Sequence, residues 1–155
     1  MKPSVVMLHY NFNEDLAQLS KTAIESVNFS VPERELIIVD NASVYGGAFA
    51  RNESDIYVRN KTNLGYPAGV NQGVLLANGE FIAIANNDIK VSPNWWEVAQ
   101  EIFKNPQVGT VHFRMDGYDE VRPLGNETVE TGRERWCSSS FFVIRREAFQ
   151  VYDET

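Results

Sequence analysis

The chain has 155 residues, 43% hydrophobic and 23% charged, which suits one globular domain around a single core and excludes a disordered tail or a tandem array. A net charge of −7, with no basic run to offset it locally, excludes nucleic acid as a general partner. One cysteine, Cys137, forms no internal bridge, and with two histidines it cannot complete a closed zinc site, so the expected compartment is a reducing one.

Lys2 is the only charged residue before the first apolar stretch at 5–8, and that stretch is far shorter than the apolar region of a signal peptide or the roughly 20 residues that span a bilayer. The expectation is a cytoplasmic protein with no transmembrane segment. The Asn-x-Ser/Thr triplets at Asn28, Asn41, Asn52, Asn60 and Asn126 then never meet the glycosylation machinery and follow from asparagine content alone.

In chain order, the run SVVMLHY at 4–10 predicts a first strand. A helix follows, with Leu16, Leu19, Ala23 and Val27 on one face and Asn13 as its cap before Glu14 and Asp15. Strands are expected at 35–40 and 55–59, then a helix whose face carries Val70, Val74 and Ala77, then a strand at 80–85. Ser92-Pro93 suits a cap with proline at the first helical position, opening a helix with Trp95 or Trp96, Ala99, Ile102 and Phe103 inward; one tryptophan is expected in the core and the other partly exposed. Strands close the pattern at 108–113 and 140–144. Between them, 116–135 is polar and aperiodic, a long loop or short antiparallel insertions on the acceptor side of a site.

Strand and helix alternate and the strands are almost continuously apolar, which predicts an α/β fold with a mostly parallel sheet covered on both faces by helices. In such a sheet ligands bind beyond the carboxyl ends of the strands. Three of those ends are polar: His9-Tyr10-Asn11, Asp40-Asn41-Ala42-Ser43 and Asn86-Asn87-Asp88. Each alone is compatible with ordinary turn chemistry, but three on one edge point to a site. The loop after the first strand, NFNEDL, has no glycine to cradle a diphosphate, and neither a P-loop, a GxSxG elbow nor HExxH occurs. An acidic protein can instead hold phosphate through a divalent cation, and Asp88 is placed for magnesium or manganese.

The run NLGYPAGVNQGVLLANGEFIAIANNDIKVSPNW at 63–95 resembles the central signature of family 2 glycosyltransferases of the GT-A fold, especially the rhamnosyltransferase-like branch. VVMLHYNFNEDLAQLSKTAIESV at 5–27 and IIVDNAS at 37–43 are similar to that family's first two strand-helix elements, and CSSSFFVIRREAF at 137–149 to its later strand and helix start. The resemblance implies a Rossmann-like nucleotide-sugar-binding domain over 1–155, with 1–115 as the donor half and 116–155 as a partial acceptor half. It implies that Tyr10 and Asn11 border base and ribose, that Asp40 reads the base with Asn41 beside it, and that Asn63, Gly65 and Asn71 wall the nucleotide. It matches Asn86-Asn87-Asp88 to the motif that holds metal and diphosphate. The first acidic position of that motif is Asn86 here, which leaves Asp88 as the one charged metal ligand and lowers the expected metal affinity. Gly65, Gly69 and Gly73 are expected to serve backbone accommodation.

The expected function is a metal-assisted, inverting transfer of sugar from a nucleoside-diphosphate sugar to a glycan or other hydroxyl acceptor. A non-catalytic or truncated nucleotide-sugar-binding domain is the alternative, and a nucleotidyltransferase ranks below both because NFNEDL lacks a Gly-rich basic loop. The resemblance places the family's usual catalytic base, an acidic residue, downstream of a motif that Asp153 and Glu154 resemble in part, so the chain is expected to be a truncated or minimal form that binds donor and transfers sugar slowly or not at all. Asp116, Asp119 and Glu120 are the internal candidates for the base. Trp136 is a candidate for stacking on an acceptor sugar. Cys137 is expected to be inert, His112 structural, and Arg133, Arg135, Arg145 and Arg146 part of a solvated face.

Overall fold

Apolar runs that are buried on both sides need cover on both sides, and the chain supplies it by crossing back with a helix after each of its first strands. The computed structural model describes residues 2–116, 120–123 and 140–152. In order these form β1 (Ser4–His9), α1 (Glu14–Ser30), β2 (Glu35–Asp40), α2 (Gly47–Glu53), β3 (Ile56–Arg59), α3 (Gly65–Leu76), β4 (Phe81–Asn86), α4 (Trp95–Ile102), β5 (Thr110–Asp116), β6 (Glu120–Pro123) and β7 (Phe141–Arg145), with a short 3-10 turn at Arg146–Ala148.

The sheet has seven strands in the order β3-β2-β1-β4-β7-β5-β6. The first four run parallel, β7 runs against β4, β5 runs against β7 and so along β4, and β6 returns against β5. After β1 the chain builds outward through β2 and β3, then returns to place β4 on the other side of β1. The strand order therefore switches at β1 and β4, where an open sheet forms its ligand crevice.

Alternate strand residues face two apolar layers. Val5, Met7, Ile38, Ala83 and Phe141 pack with Ile24 and Val27 of α1 and with Trp95 of α4, while Val6, Ile37, Ile82, Ile84 and Phe142 pack with Val70 and Val74 of α3. Gly73 lets α3 lie directly on β1, since a Cβ there would stand 2.2 Å from Val6 Cγ1. Gly65 opens α3 at φ +83, a conformation that favours glycine.

The parallel sheet matches the sequence expectation, and several details differ. Asn13 caps α1 as expected, its Oδ1 accepting the Leu16 N–H at 2.9 Å, yet Leu19 is 45% exposed. The buried line of α1 runs instead through Ser20, Ala23, Ile24 and Val27. Helix α2 carried no sequence expectation: seven residues with one buried, Ala50, give too little periodicity to register. Helix α4 begins at Trp95, not at Pro93, after a turn in which the Ser92 carbonyl accepts the Trp95 N–H at 3.3 Å. Both tryptophans are buried, because Trp96 meets Phe81 while Trp95 meets Phe113 and Phe141.

Arg145 and Arg146 are not a solvated face. Arg145 donates to the carbonyls of Val108 and Phe103 and lies over the Phe81 and Phe103 rings, and Arg146 donates to the carbonyls of Ala77 and Gly79. His112 stacks on Phe142 with centroids 5.1 Å apart, in keeping with a structural role. Cys137, Arg133, Arg135, Asp153 and Glu154 lie outside the described residues. Among the described residues no helix is long and apolar enough to cross a membrane.

Candidate functional site

The three polar strand ends meet at one edge. Register places His9 beside Asp40 on one flank of β1 and Leu8 beside Asn86 on the other, so the residues that follow each strand emerge side by side at the switch point. They form two layers, one buried and one open.

The buried layer contains His9, Asn11, Ser20, Asp40, Asn41, Ser43 and Asn71. Buried polar groups must be paired, and these pair chiefly with one another. The Asn11 amide nitrogen lies 3.0 Å from His9 Nε2, and His9 Nδ1 lies 2.8 Å from Ser43 Oγ. Because an amide NH₂ can only donate, Nε2 is the acceptor, and the neutral imidazole carries its proton on Nδ1. The Ser43 hydroxyl also accepts the Asn11 backbone N–H at 2.9 Å. On its other side Asn11 Oδ1 accepts from Ser20 Oγ at 2.9 Å and from Asn87 Nδ2 at 2.8 Å.

Asp40, fully buried, is the charged centre of this layer. Its Oδ1 accepts the Ser43 N–H at 2.7 Å, and its Oδ2 accepts from the Tyr57 hydroxyl and from Arg59 Nη1. Burial alone would raise its pKa. The His9 ring, 3.8 Å away, and the bonds from Tyr57 and Ser43 outweigh burial and hold the carboxyl well below the usual carboxylate range. Burial, and then donation to Asp40, pushes the Tyr57 hydroxyl up. Arg59 Nη2 also donates to the Ser43 carbonyl at 2.8 Å, so the loop that turns through Ala42 at φ +65 is held at both ends.

Further asparagines brace the segments around the edge. Asn41 donates to the Gly65 carbonyl at 3.2 Å and accepts from Asn60, which is paired with Gln72. Asn63 Oδ1 accepts the Gly65 N–H at 2.8 Å. Asn71 takes both backbone groups of Tyr152, at 2.9 Å each, tying the segment after β7 onto α3.

The open layer lies above. Tyr10 is 42% exposed, with Phe12 tilted against it at 6.1 Å. Asn63 and Gly65 are exposed, Asn86 and Asn87 half-buried, and Asp88 exposed in the turn after β4. Two hollows flank the edge on the α2 side. One of about 420 Å³ is lined by Ser43, Gly47, Arg51, Tyr57 and Arg59 among others, and one of about 260 Å³ by His9, Ser20, Lys21, Tyr45 and Phe49 among others. Neither is lined by Asp88, which is exposed.

Among the described residues no grouping of three or more His, Cys, Asp or Glu could cage a metal. The donors in the turn after β4 are one exposed carboxylate, Asp88, and neighbouring amide oxygens. That hard-oxygen set is of the kind that suits magnesium or manganese, and it leaves most of the coordination to be supplied by other ligands. Of the candidate bases, Asp116 ends β5 and pairs in register with Glu120 across the β5–β6 hairpin. His112 is level with Phe142, and Phe142 with Ile84, so Asp116 stands two residues, about 7 Å, beyond the level of Asn86 on the same edge. Asp119 and Trp136 lie outside the described residues.

The sequence profile of glycosyl transferase family 2 matches residues 4–152. The chain belongs to glycosyl transferase family 2. The crystal structure of TarS 1-349 from S. aureus superposes with a TM-score of 0.67 at 18% identity, covering 94% of this chain and 47% of that one. The same protein in complex with UDP-GlcNAc gives 0.62 at 19%, covering 75% and 35%. The mannosyltransferase PcManGT from Pyrobaculum calidifontis, in complex with GDP-Man and Mn2+, gives 0.61 at 21%, covering 74% and 36%. These likenesses establish the GT-A fold, and the chain spans about half the length of TarS 1-349. No curated protein matches the chain.

Within this family 2 domain, the site residues expected from the sequence fall in both layers. Ser20, Tyr57, Arg59, Asn60 and Gln72 carry no such expectation, and His9 and Ser43 carry none beyond closing a polar strand end. Ser20 carried a signal, a hydroxyl on the buried line of an amphipathic helix. The partners of Asp40 and Asn41 on β3 and α3 are long-range and leave no local pattern.

Proposed function

We propose that the chain transfers a sugar from a nucleoside-diphosphate sugar to an acceptor hydroxyl, with inversion and with help from a divalent cation. The observation that carries this reading is the convergence of three polar strand ends at the switch point of a family 2 domain, with Asp88 exposed above them. Asp88 and Asn86 would hold the cation, which when bound neutralises charge on the departing diphosphate.

The chain's own side chains supply the rest. Tyr10 offers a half-exposed ring to the base, while Asn63 and Gly65 wall the ribose side. Asp40 acts mainly through what it holds, since its oxygens are engaged by Ser43, Tyr57 and Arg59. A carboxylate from Asp116, Asp119 or Glu120 takes the acceptor proton as the hydroxyl oxygen bonds the anomeric carbon and the diphosphate leaves from the opposite face. The placement of Asp116 and Glu120 at the hairpin on the donor edge supports that assignment. The run at 63–95 favours the rhamnosyltransferase-like branch. A second reading, donor binding without turnover, is favoured by Asn86 standing where a second carboxylate would strengthen the metal site.

Incubation with UDP- and GDP-sugars and manganese, with products identified, tests the proposal. Release of nucleoside diphosphate coupled to glycoside formation on a hydroxyl acceptor supports transfer, and tight donor binding with no product supports the second reading. Transfer that survives simultaneous substitution of Asp116, Asp119 and Glu120 would place the base elsewhere.

A further inference from the structure

The turn that carries Asp88 is exposed, and a single exposed carboxylate on a short turn would sample many directions. Ile89, just after Asp88, is anchored in the core, and ahead of Asp88 the Asn87 side chain is tied down by hydrogen bonds. The Asn87 amide nitrogen donates into the protein, lying 2.8 Å from Asn11 Oδ1 and 2.6 Å from Ser20 Oγ. The Ser20 hydroxyl in turn donates to Asn11 Oδ1 at 2.9 Å, which closes a three-residue ring. Asn11 is fully buried and Ser20 is 1% exposed, so water does not compete for these bonds.

The far side of Asn11 is fixed as firmly. Its amide nitrogen donates to His9 Nε2, whose Nδ1–H reaches Ser43 Oγ, and Ser43 N–H is held by Asp40. Two of the three strand ends are thus joined to the third through one buried amide. Nothing else in the described hydrogen bonding joins the side chains of the Asp40–Ser43 loop to the turn after β4.

We infer that Asn11 is a positioning residue that holds the Asp88 turn through Asn87, and that Asn11 and Asn87 act from beneath the donor site without touching the nucleotide. This rests on the proposal that Asp88 carries the cation-dependent part of donor binding. Its consequence is specific: loosening Asn11 should remove the metal-dependent gain in affinity and spare the nucleotide contacts made by Tyr10 and the 63–65 segment. A general loss of structure would weaken both.

The test is a double-mutant cycle on Asn11→Ala and Asn87→Ala, with Ser20→Ala as a milder member. UDP and GDP titrations are run with and without manganese, and thermal midpoints are recorded for each variant. Asn11→Ala should reduce the manganese-dependent gain by about fivefold or more, with metal-free affinity changed less than about twofold. The double variant should be no worse than Asn87→Ala alone, because the two residues act in series. Additive losses, or equal loss of metal-free and metal-dependent binding, overturn the proposal. If the wild type binds neither nucleotide with manganese, the donor reading fails by itself, and the positioning claim is then decided by the thermal midpoints. Coupling of Asn11 and Asn87 there, together with rapid solvent exchange of the Asn87 side-chain amide protons in Ser20→Ala, supports the tie, whereas independent effects refute it.

Discussion

Asp40 shows how one buried charge sets the conformation of the loop around it. A carboxylate out of water is costly unless paired, and here the Arg59 guanidinium, the Tyr57 hydroxyl and the Ser43 N–H all converge on it. Because its native pKa lies below the unfolded value of about 3.9, the folded state binds fewer protons than the unfolded chain in the interval between the two. The stabilisation is therefore complete above that unfolded value and is lost as pH falls towards the native one. Urea midpoints should fall as pH drops from about 5 to 2, and Asp40→Asn should flatten that dependence while lowering neutral-pH stability by about 3 kcal/mol. An Asp40→Asn profile as steep as the wild type would assign the acid sensitivity to another carboxylate. The sequence marked Asp40 as important because it closes an apolar strand. It could not show that the carboxylate faces inward, since Tyr57 and Arg59 reach it only once β3 pairs with β2.

At the scale of elements, helix α3 is where sequence and structure agree most closely. Its glycines were expected to accommodate backbone, and Gly65 does so by a left-handed turn and Gly73 by bringing the helix onto β1. Gly73→Ala would force its new methyl into Val6, with both partners buried in the sheet-helix layer, and should cost about 2 kcal/mol. For a domain of this size that is a fall in thermal midpoint of roughly 4–8 °C. An unchanged midpoint would mean that α3 can shift away from β1 without loss. Strands β1, β2 and β4 were legible as six-residue apolar runs, and so was the presence of α1, but not its inward face, since Leu19 is exposed and Ser20 lies on the buried line. Helix α2 was not, for it makes its contacts through Ala50 and Phe49 and lacks a repeating face. The burial of Trp96 was also out of reach, because only the meeting of α4 with Phe81 removes it from solvent.

Across the whole molecule, the buried polar layer joins strand ends that are far apart in sequence. His9, Asp40 and Asn86 arrive at one edge through parallel register, and Asn11 then links the loops above them. Motif spacing revealed which residues belong to that edge, since each closes an apolar run. The division between residues that face outward and residues that hold them depends on packing between α1, β2 and β4, which no local pattern encodes. Asn71 illustrates the difference: it sits in the most specific stretch of the resemblance, yet its amide binds the backbone of Tyr152. Family membership and the GT-A fold follow from the chain as a whole, and the chemistry proposed for it depends chiefly on one exposed carboxylate.

That dependence is best measured by isothermal titration of UDP and GDP into the wild type and Asp88→Ala, each with and without manganese. The account predicts that manganese tightens binding of at least one nucleotide by the wild type by about tenfold or more, and leaves the Asp88→Ala affinity at the metal-free value. Identical manganese dependence in wild type and variant would contradict it.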